Sequence, residues 1–130
     1  MGGRRAELAA VAAAAVADLD LEGGAKVTVV DELPDAALGH LVLVEWQGTV
    51  ETSKAWEHTF VVTVVIDTPA IAGQHYPARD LIVGALLEAF HAYDPPGVGA
   101  GRTTTEPTTR TVGATERKAV AVRLTVTEAH

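Results

Sequence analysis

The sequence predicts an α+β domain in which a four- to five-stranded, mainly antiparallel sheet carries two α-helices packed on one face. Three observations predict it. Residues 117–127 alternate apolar and polar side chains at the period of a strand, residues 79–93 repeat their apolar positions at the period of a helix, and the elements run in the order α-β-β-β-α-β-β. At 130 residues the chain has room for one ordinary domain, residues 1–130, and not for two independent cores. Hydrophobic residues make up 48% of it and aromatic residues only 5%, so the core is built from Ala, Val and Leu more than from large rings.

Each element has its own local reason. Over residues 4–18 the larger apolar side chains fall at Leu8, Val11, Ala15, Val16 and Leu19, the stripe of an amphipathic helix in an alanine-rich segment. The start, with Arg4 and Arg5 before an apolar run, has the outline of a secretory signal. Glu7, the weak hydrophobicity of Ala and the direct passage into Asp18-Leu19-Asp20 favour a helix instead. No stretch approaches the ~18 consecutive apolar residues that span a bilayer, so the cytoplasm is the expected working compartment. After Glu22-Gly23-Gly24, Lys26 to Val30 is a short β-branched strand closed by Asp31-Glu32-Leu33-Pro34-Asp35. Residues 40–47 form a second strand, apolar on both faces, which requires a cover on each side: helices on one, a partner or a folded-back segment on the other.

The polar segment 48–55 reads as a loop or hairpin tip, and Trp56 to Asp67 as the longest, central strand. In that strand Phe60, Val62, Val64 and Ile66 point one way, and His58, Val61, Thr63 and Val65 the other. Thr68-Pro69-Ala70 ends it, and Pro77 suits a helix first turn. Leu81, Ile82, Ala85, Leu86, Ala89, Phe90 and Tyr93 then mark the clearest helix, stopped by Asp94-Pro95-Pro96-Gly97. The threonine-rich stretch inside 94–116 contains Pro107, which fits an edge strand or a mobile loop.

Chemistry is mostly excluded. The absence of cysteine removes disulfides, thiolate metal sites and a cysteine nucleophile together. No phosphate-cradling P-loop occurs, Gly97-Val98-Gly99-Ala100-Gly101 follows a helix instead of opening one, and Ser53 lies in no nucleophile elbow. Glu88 and His91 have the i, i+3 spacing of a carboxylate-bridged metal site, but a single such pair cannot complete one and both fall on the polar helix face. His40 and His58 flank strands, and nothing in the spacing joins Asp67 to His58 or His75 for acid–base work. An enzyme is therefore not expected, nor is any cofactor. Ten basic against seventeen acidic residues leave a net charge of −7, which argues against a general nucleic-acid-binding surface. The excess is uneven: residues 1–65 carry four basic and ten acidic groups, residues 66–130 six and seven.

What remains points to surfaces. Trp46 and Trp56 lie near one end of a hairpin, where they either pack against it or anchor a subunit interface. Arg102, Arg110, Arg117 and Arg123 form a solvated face or meet the acidic first half of a neighbouring subunit. The candidate assembly residues are Trp46, Glu51, Lys54, Trp56, Arg102 and Arg110, in the segments 48–56 and 94–116.

The N-terminal helix, the short strand ending at Leu33-Pro34, the long strand Trp56 to Val65, the helix 79–93, the breaker loop, the threonine-rich segment and the alternating last strand together resemble the tail-terminator, or tail-completion, proteins of long-tailed bacteriophages. The likeness runs over nearly the whole chain, and the Ala/Val/Arg-rich composition suits a phage of a high-GC host. It implies a virion protein assembled in the host cytoplasm as a hexameric ring. Such a ring caps the finished tail tube, halts its polymerisation and offers a docking surface to the head connector. DNA then slides through the lumen without specific binding, for which an acidic surface is suited.

Overall fold

From Phe60 to Ile66 every residue is buried, with no more than 6% of any one exposed. Side chains of a strand alternate between two faces, so burial throughout requires both faces to be covered. The computed structural model shows how this chain does it. It describes residues 2–21, 25–35, 39–69, 76–93 and 98–129, the side chains of 2, 3, 68, 69 and 98–102 excepted.

The elements are α1 (Gly2–Val16), β1 (Val27–Val30), β2 (His40–Glu51), β3 (Ala55–Pro69), α2 (Pro77–His91), β4 (Val98–Val112) and β5 (Thr115–Ala129). The five strands form one sheet in the order β1-β2-β3-β5-β4, with β1 parallel to β2 and every other pair antiparallel. The α+β class and the central place of the long strand agree with the sequence reading. The expected loop 48–55 is largely strand, with only residues 52–54 between β2 and β3, and of the two readings of the threonine-rich stretch, edge strand or loop, residues 98–112 form the edge strand. Pro107 lies in that edge, where a missing N–H is tolerated.

One face of the sheet is set by the pairings Val42 with Val64, Val44 with Val62, and Phe60, Val62 and Val64 with Leu124, Val122 and Val120. These side chains form a single cluster with Leu8, Ala12 and Val16 of α1 and Ile82, Leu86 and Phe90 of α2. Helix α1 touches β1, β2 and α2, whereas α2 touches β3, β4 and β5. Each large side chain buried there contributes about 1.5–3 kcal/mol. The fully buried stripe of α1 runs Leu8, Ala12, Val16, while Val11, Ala15 and Leu19 lie at its margin. A methyl group at position 12 lets the helix backbone come close, which a reading weighted to larger residues passes over.

The second face is covered by the chain's own hairpin. Val112, at the end of β4, packs with Leu41 of β2, Val65 of β3 and Ala119 of β5, and Val30 and Leu33 join them. Arg110 of β4 lies 3.7 Å from Glu45 of β2, although two strands separate them in the sheet and their levels on β5 are Arg117 and Arg123. The far end of the β4–β5 hairpin therefore curls across the sheet onto the start of β2 and the loop after β1. Its register against β3 slips between Val65 and Pro69, where the curl departs. Gly113, at φ +63 in the turn, meets the Asp35 carbonyl so closely that a Cβ would collide with it. The folded-back segment expected from the two-faced strand 40–47 is this hairpin end.

A polar knot holds the same end of the sheet. Gly39, at φ +89, leaves no room for a Cβ, which would come within 2.8 Å of the Lys26 carbonyl oxygen. Its N–H donates to Asp67 Oδ2 at 2.7 Å, and its carbonyl accepts from Arg117, which also lies 3.4 Å from Asp67 Oδ1. Buried His40 accepts the Asp67 backbone N–H on Nδ1 at 2.9 Å. Burial, aided by Arg117 and opposed by Asp67, pushes the His40 pKa below its ordinary value, in keeping with a neutral ring that accepts. Among the described residues no helix is long and apolar enough to cross a membrane.

Two substitutions test this account by thermal unfolding. Gly113→Ala combines a left-handed backbone with a collision and is expected to cost about 2–3 kcal/mol; a neutral effect would mean that the hairpin end does not seat on Asp35. Thr63, 1% exposed, has a hydroxyl without a hydrogen-bond partner. Thr63→Val keeps the shape, removes the orphaned group and is expected to raise stability by about 1 kcal/mol.

Candidate functional site

At the opposite end of the sheet β2 and β3 join in a tight hairpin that lies level with the last residues of β5, Ala55 pairing with Ala129 and Trp56 with Glu128. Thr52 makes its turn: the hydroxyl accepts from the Ala55 N–H at 3.0 Å and the Thr52 N–H donates to the Ala55 carbonyl at 2.8 Å. A β-bulge at Gln47 then shifts the register, so that Trp46 pairs with Phe60 but Gly48 with Thr59. The extra residue places Thr49, instead of Gly48, opposite His58.

That placement builds a chain of hydrogen bonds. The Trp46 indole, which can only donate, gives its Nε1–H to Thr49 Oγ1 at 3.1 Å. Thr49 Oγ1 lies 2.8 Å from His58 Nδ1, and His58 Nε2 lies 3.1 Å from Glu128 Oε2. Arg4 donates to Glu128 Oε1 at 2.9 Å and to the Tyr93 hydroxyl at 2.8 Å, and Tyr93 donates to Glu7 at 2.6 Å. With the imidazole neutral, every proton has one direction: indole to hydroxyl, hydroxyl to Nδ1, Nε2–H to carboxylate. The network joins β2, β3, β5, α1 and Tyr93, two residues beyond α2. It also explains why α1 opens with Arg4 and Arg5 and no acid, the wrong sign for the helix dipole. Arg4 serves Tyr93 and Glu128, and Arg5 pairs with Asp31 at 3.2 Å.

The Arg4 guanidinium first, and then the bond from His58, holds the Glu128 carboxyl below the usual range. Burial, and then the bond to Glu7, raises the Tyr93 phenol. A hydroxyl, an imidazole and a carboxylate in line have the form of a nucleophile-activating relay. Here His58 is only 2% exposed and the Thr49 oxygen is engaged on both sides by Trp46 and His58, so the arrangement acts as a brace under the hairpin.

The sequence-derived candidates fall as follows. Trp46, Glu51, Lys54 and Trp56 share this hairpin, with Glu51 and Trp56 directly paired; Trp46 and Trp56 are 46% and 39% exposed and Val50 is 61% exposed. Arg110 lies near Glu45 of its own chain, and the side chain of Arg102 lies outside the described residues. Arg117 and Arg123 likewise meet Asp67 and Gln47 of their own chain. Glu88 and His91 are exposed, as expected, and His75 and His130 lie outside the described residues. The grouping of His58 with Val61, Thr63 and Val65 is corrected: position 58 shares parity with Phe60, pairs with Val126 and lies on the helix-bearing face. Its partner is Glu128, and Asp67 belongs to the knot at the other end. Glu128 had a readable signal, since it continues the buried register Val122, Leu124, Val126 as a carboxylate. Among the described residues no group of three His, Cys, Asp or Glu could hold a metal ion.

A pH series tests the brace. The folded Glu128 pKa is depressed from its ordinary 4.5, so the stability it adds is present above about pH 4.5 and is lost as pH falls through the lower folded value. Glu128→Gln is expected to reduce stability near neutrality and to flatten the acid-side loss in urea unfolding; an unchanged acid slope would count against the brace. Compared with known proteins, the chain matches no family model and no curated sequence.

Proposed function

We propose that this chain is a structural subunit of a long-tailed phage: a tail terminator that forms a ring on the finished tail tube, stops its growth and presents a docking surface for the head connector. The observation that carries the reading is the braced hairpin. Two tryptophans stand exposed on the β2–β3 hairpin, and the polar groups beside them are spent on holding it in place. Exposed aromatic anchors on a rigid support suit an interface better than a reaction site. The likeness in element order to tail terminators supplies the particular assembly, a hexamer with the tail-tube protein on one face and the connector on the other. The net charge of −7 suits a lumen through which DNA passes without being gripped.

Electron microscopy of tail tubes polymerised with and without the purified chain tests this. The expected outcome is tubes of limited length, each closed at one end by an added ring. Tubes that grow uncapped at every ratio would overturn the proposal, and rings that bind connectors but never tubes would reassign the chain to another neck position.

A further inference from the structure

The sheet ends in β4, a strand of fifteen residues that pairs with β5 on one side and, among the described residues, with no strand on the other. Open edges attract other strands, and proteins blunt them by shortness, lysine, proline, bulges or a cover. From Thr103 to Val112 the register with β5 is unbroken, the segment holds no lysine, and Thr104, Thr105, Glu106, Thr109 and Thr111 are exposed. Pro107 is the one blunting residue there. Helix α2 leaves the edge open, since a groove of about 390 Å³ lined by Gly84, Thr105 and Pro107 runs between them. The turn tells which backbone groups face out. Gly113 and Ala114 alone join β4 to β5, so Val112 and Thr115 close the hairpin as a hydrogen-bonded pair, and bonded positions alternate back from it. Thr105, Pro107, Thr109 and Thr111 therefore turn their backbone groups away from the sheet, and the N–H missing at Pro107 is one that would have faced outward.

We infer that β4 of one copy adds antiparallel to β4 of a second copy, about a two-fold axis at Thr108. This describes the free chain and does not depend on the tail reading, because an isologous pair closes on itself and builds no ring. Charge complementarity fixes the occupant and the register. With Thr108 facing Thr108, Glu106 of each copy stands opposite Arg110 of the other, so a single strand supplies both members of two opposite-charge pairs. Glu106, Thr108 and Arg110 share one face of the sheet, opposite Ala121, Ala119 and Arg117 of β5. Their backbone groups are spent on β5, so in the new ladder they form the pairs without hydrogen bonds, where side chains come closest. Thr105 and Thr111 exchange both of their bonds across the axis. The Thr109 N–H donates to the Pro107 carbonyl, so the proline forfeits only the bond its own N–H would have made. Arg110 is able to serve a second carboxylate: it is 3.7 Å from Glu45, about a third of its side chain is exposed, and a guanidinium carries several donors.

The chain has no cysteine, so a single introduced thiol reports the register. In Thr108→Cys the two sulfurs face each other across the axis at a spacing that a disulfide spans. In Thr104→Cys, on the same face of the same strand, the two lie about 27 Å apart. Oxidation is expected to link the first into dimers and to leave the second unlinked over the same time; equal rates would overturn the register. Sedimentation of the wild-type chain at up to millimolar concentration is expected to show a dimer. Glu106→Arg and Arg110→Glu each set like charges opposite one another and are expected to dimerise about tenfold more weakly. An equimolar mixture of the two restores both pairs and is expected to form a heterodimer. Thr109→Pro keeps the bonds to β5, removes an outward N–H, and is expected to be a monomer whose circular dichroism matches wild type. A wild-type chain that stays monomeric, a folded Thr109→Pro chain that associates as wild type does, or a mixture of folded charge variants that gains nothing over its parents would each overturn the inference.

Discussion

Burying both faces of β3 is the constraint on which the rest depends. Seven successive residues from Phe60 to Ile66 are shielded from water, and a sheet can do this only between two covers. Side chains of the two helices meet one face through Leu8, Ala12, Val16, Ile82, Leu86 and Phe90. Among the described residues no further helix is present for the second face, and the chain coils its own edge onto it. The long β4–β5 hairpin keeps its register with β3 as far as Val65, slips, and brings Val112 onto Leu41, Val65 and Ala119, the strand partner of Val65. Strands twist with a fixed hand, and most strongly in two-stranded ribbons, so a long hairpin end that leaves the sheet is free to coil.

The two ends of the sheet are then secured by different means. Where the hairpin end folds over, Gly39 and Gly113 allow backbone approaches that a Cβ would prevent, and Asp67, Arg117 and His40 tie up the polar groups left there. At the other end a chain of hydrogen bonds from Trp46 to Glu7 ties the hairpin to α1 beside the apolar cluster. A buried polar network is favourable only when its members are satisfied. In this one both ring nitrogens of His58 and both carboxylate oxygens of Glu128 have partners, although Arg4 Nε is left without one. The result is a hairpin stiffened at its base with its aromatic groups outward, which lowers the ordering entropy that binding must offset.

This division of labour links fold to function. Trp46 and Trp56 stand exposed on the β2–β3 hairpin, and the groove beside α2 lies between Gly84 and the β4 edge. Neither contains a convergent set of reactive groups, and the one relay-like arrangement has its histidine sealed from solvent.

By itself the sequence determined the elements and their order. Its periodicities of two and 3.6 identify the helices and the last strand, apolar β-branched runs mark β1, β2 and β3, and Pro107 restricts the threonine-rich stretch to an edge strand or a loop. Those signals are local, because side-chain alternation and helical repeat arise from neighbouring residues. It also located the exposed hairpin, since Trp46 and Trp56 lie ten residues apart across a polar turn. The tertiary structure alone decided which polar residues meet. A one-residue bulge at Gln47 sets Thr49 against His58, and Arg4 reaches Glu128 across 124 positions of the chain. It alone decided as well that the second face is covered from within. Such pairings depend on register and curl, which are collective properties of the whole sheet and leave no periodic trace in any one segment.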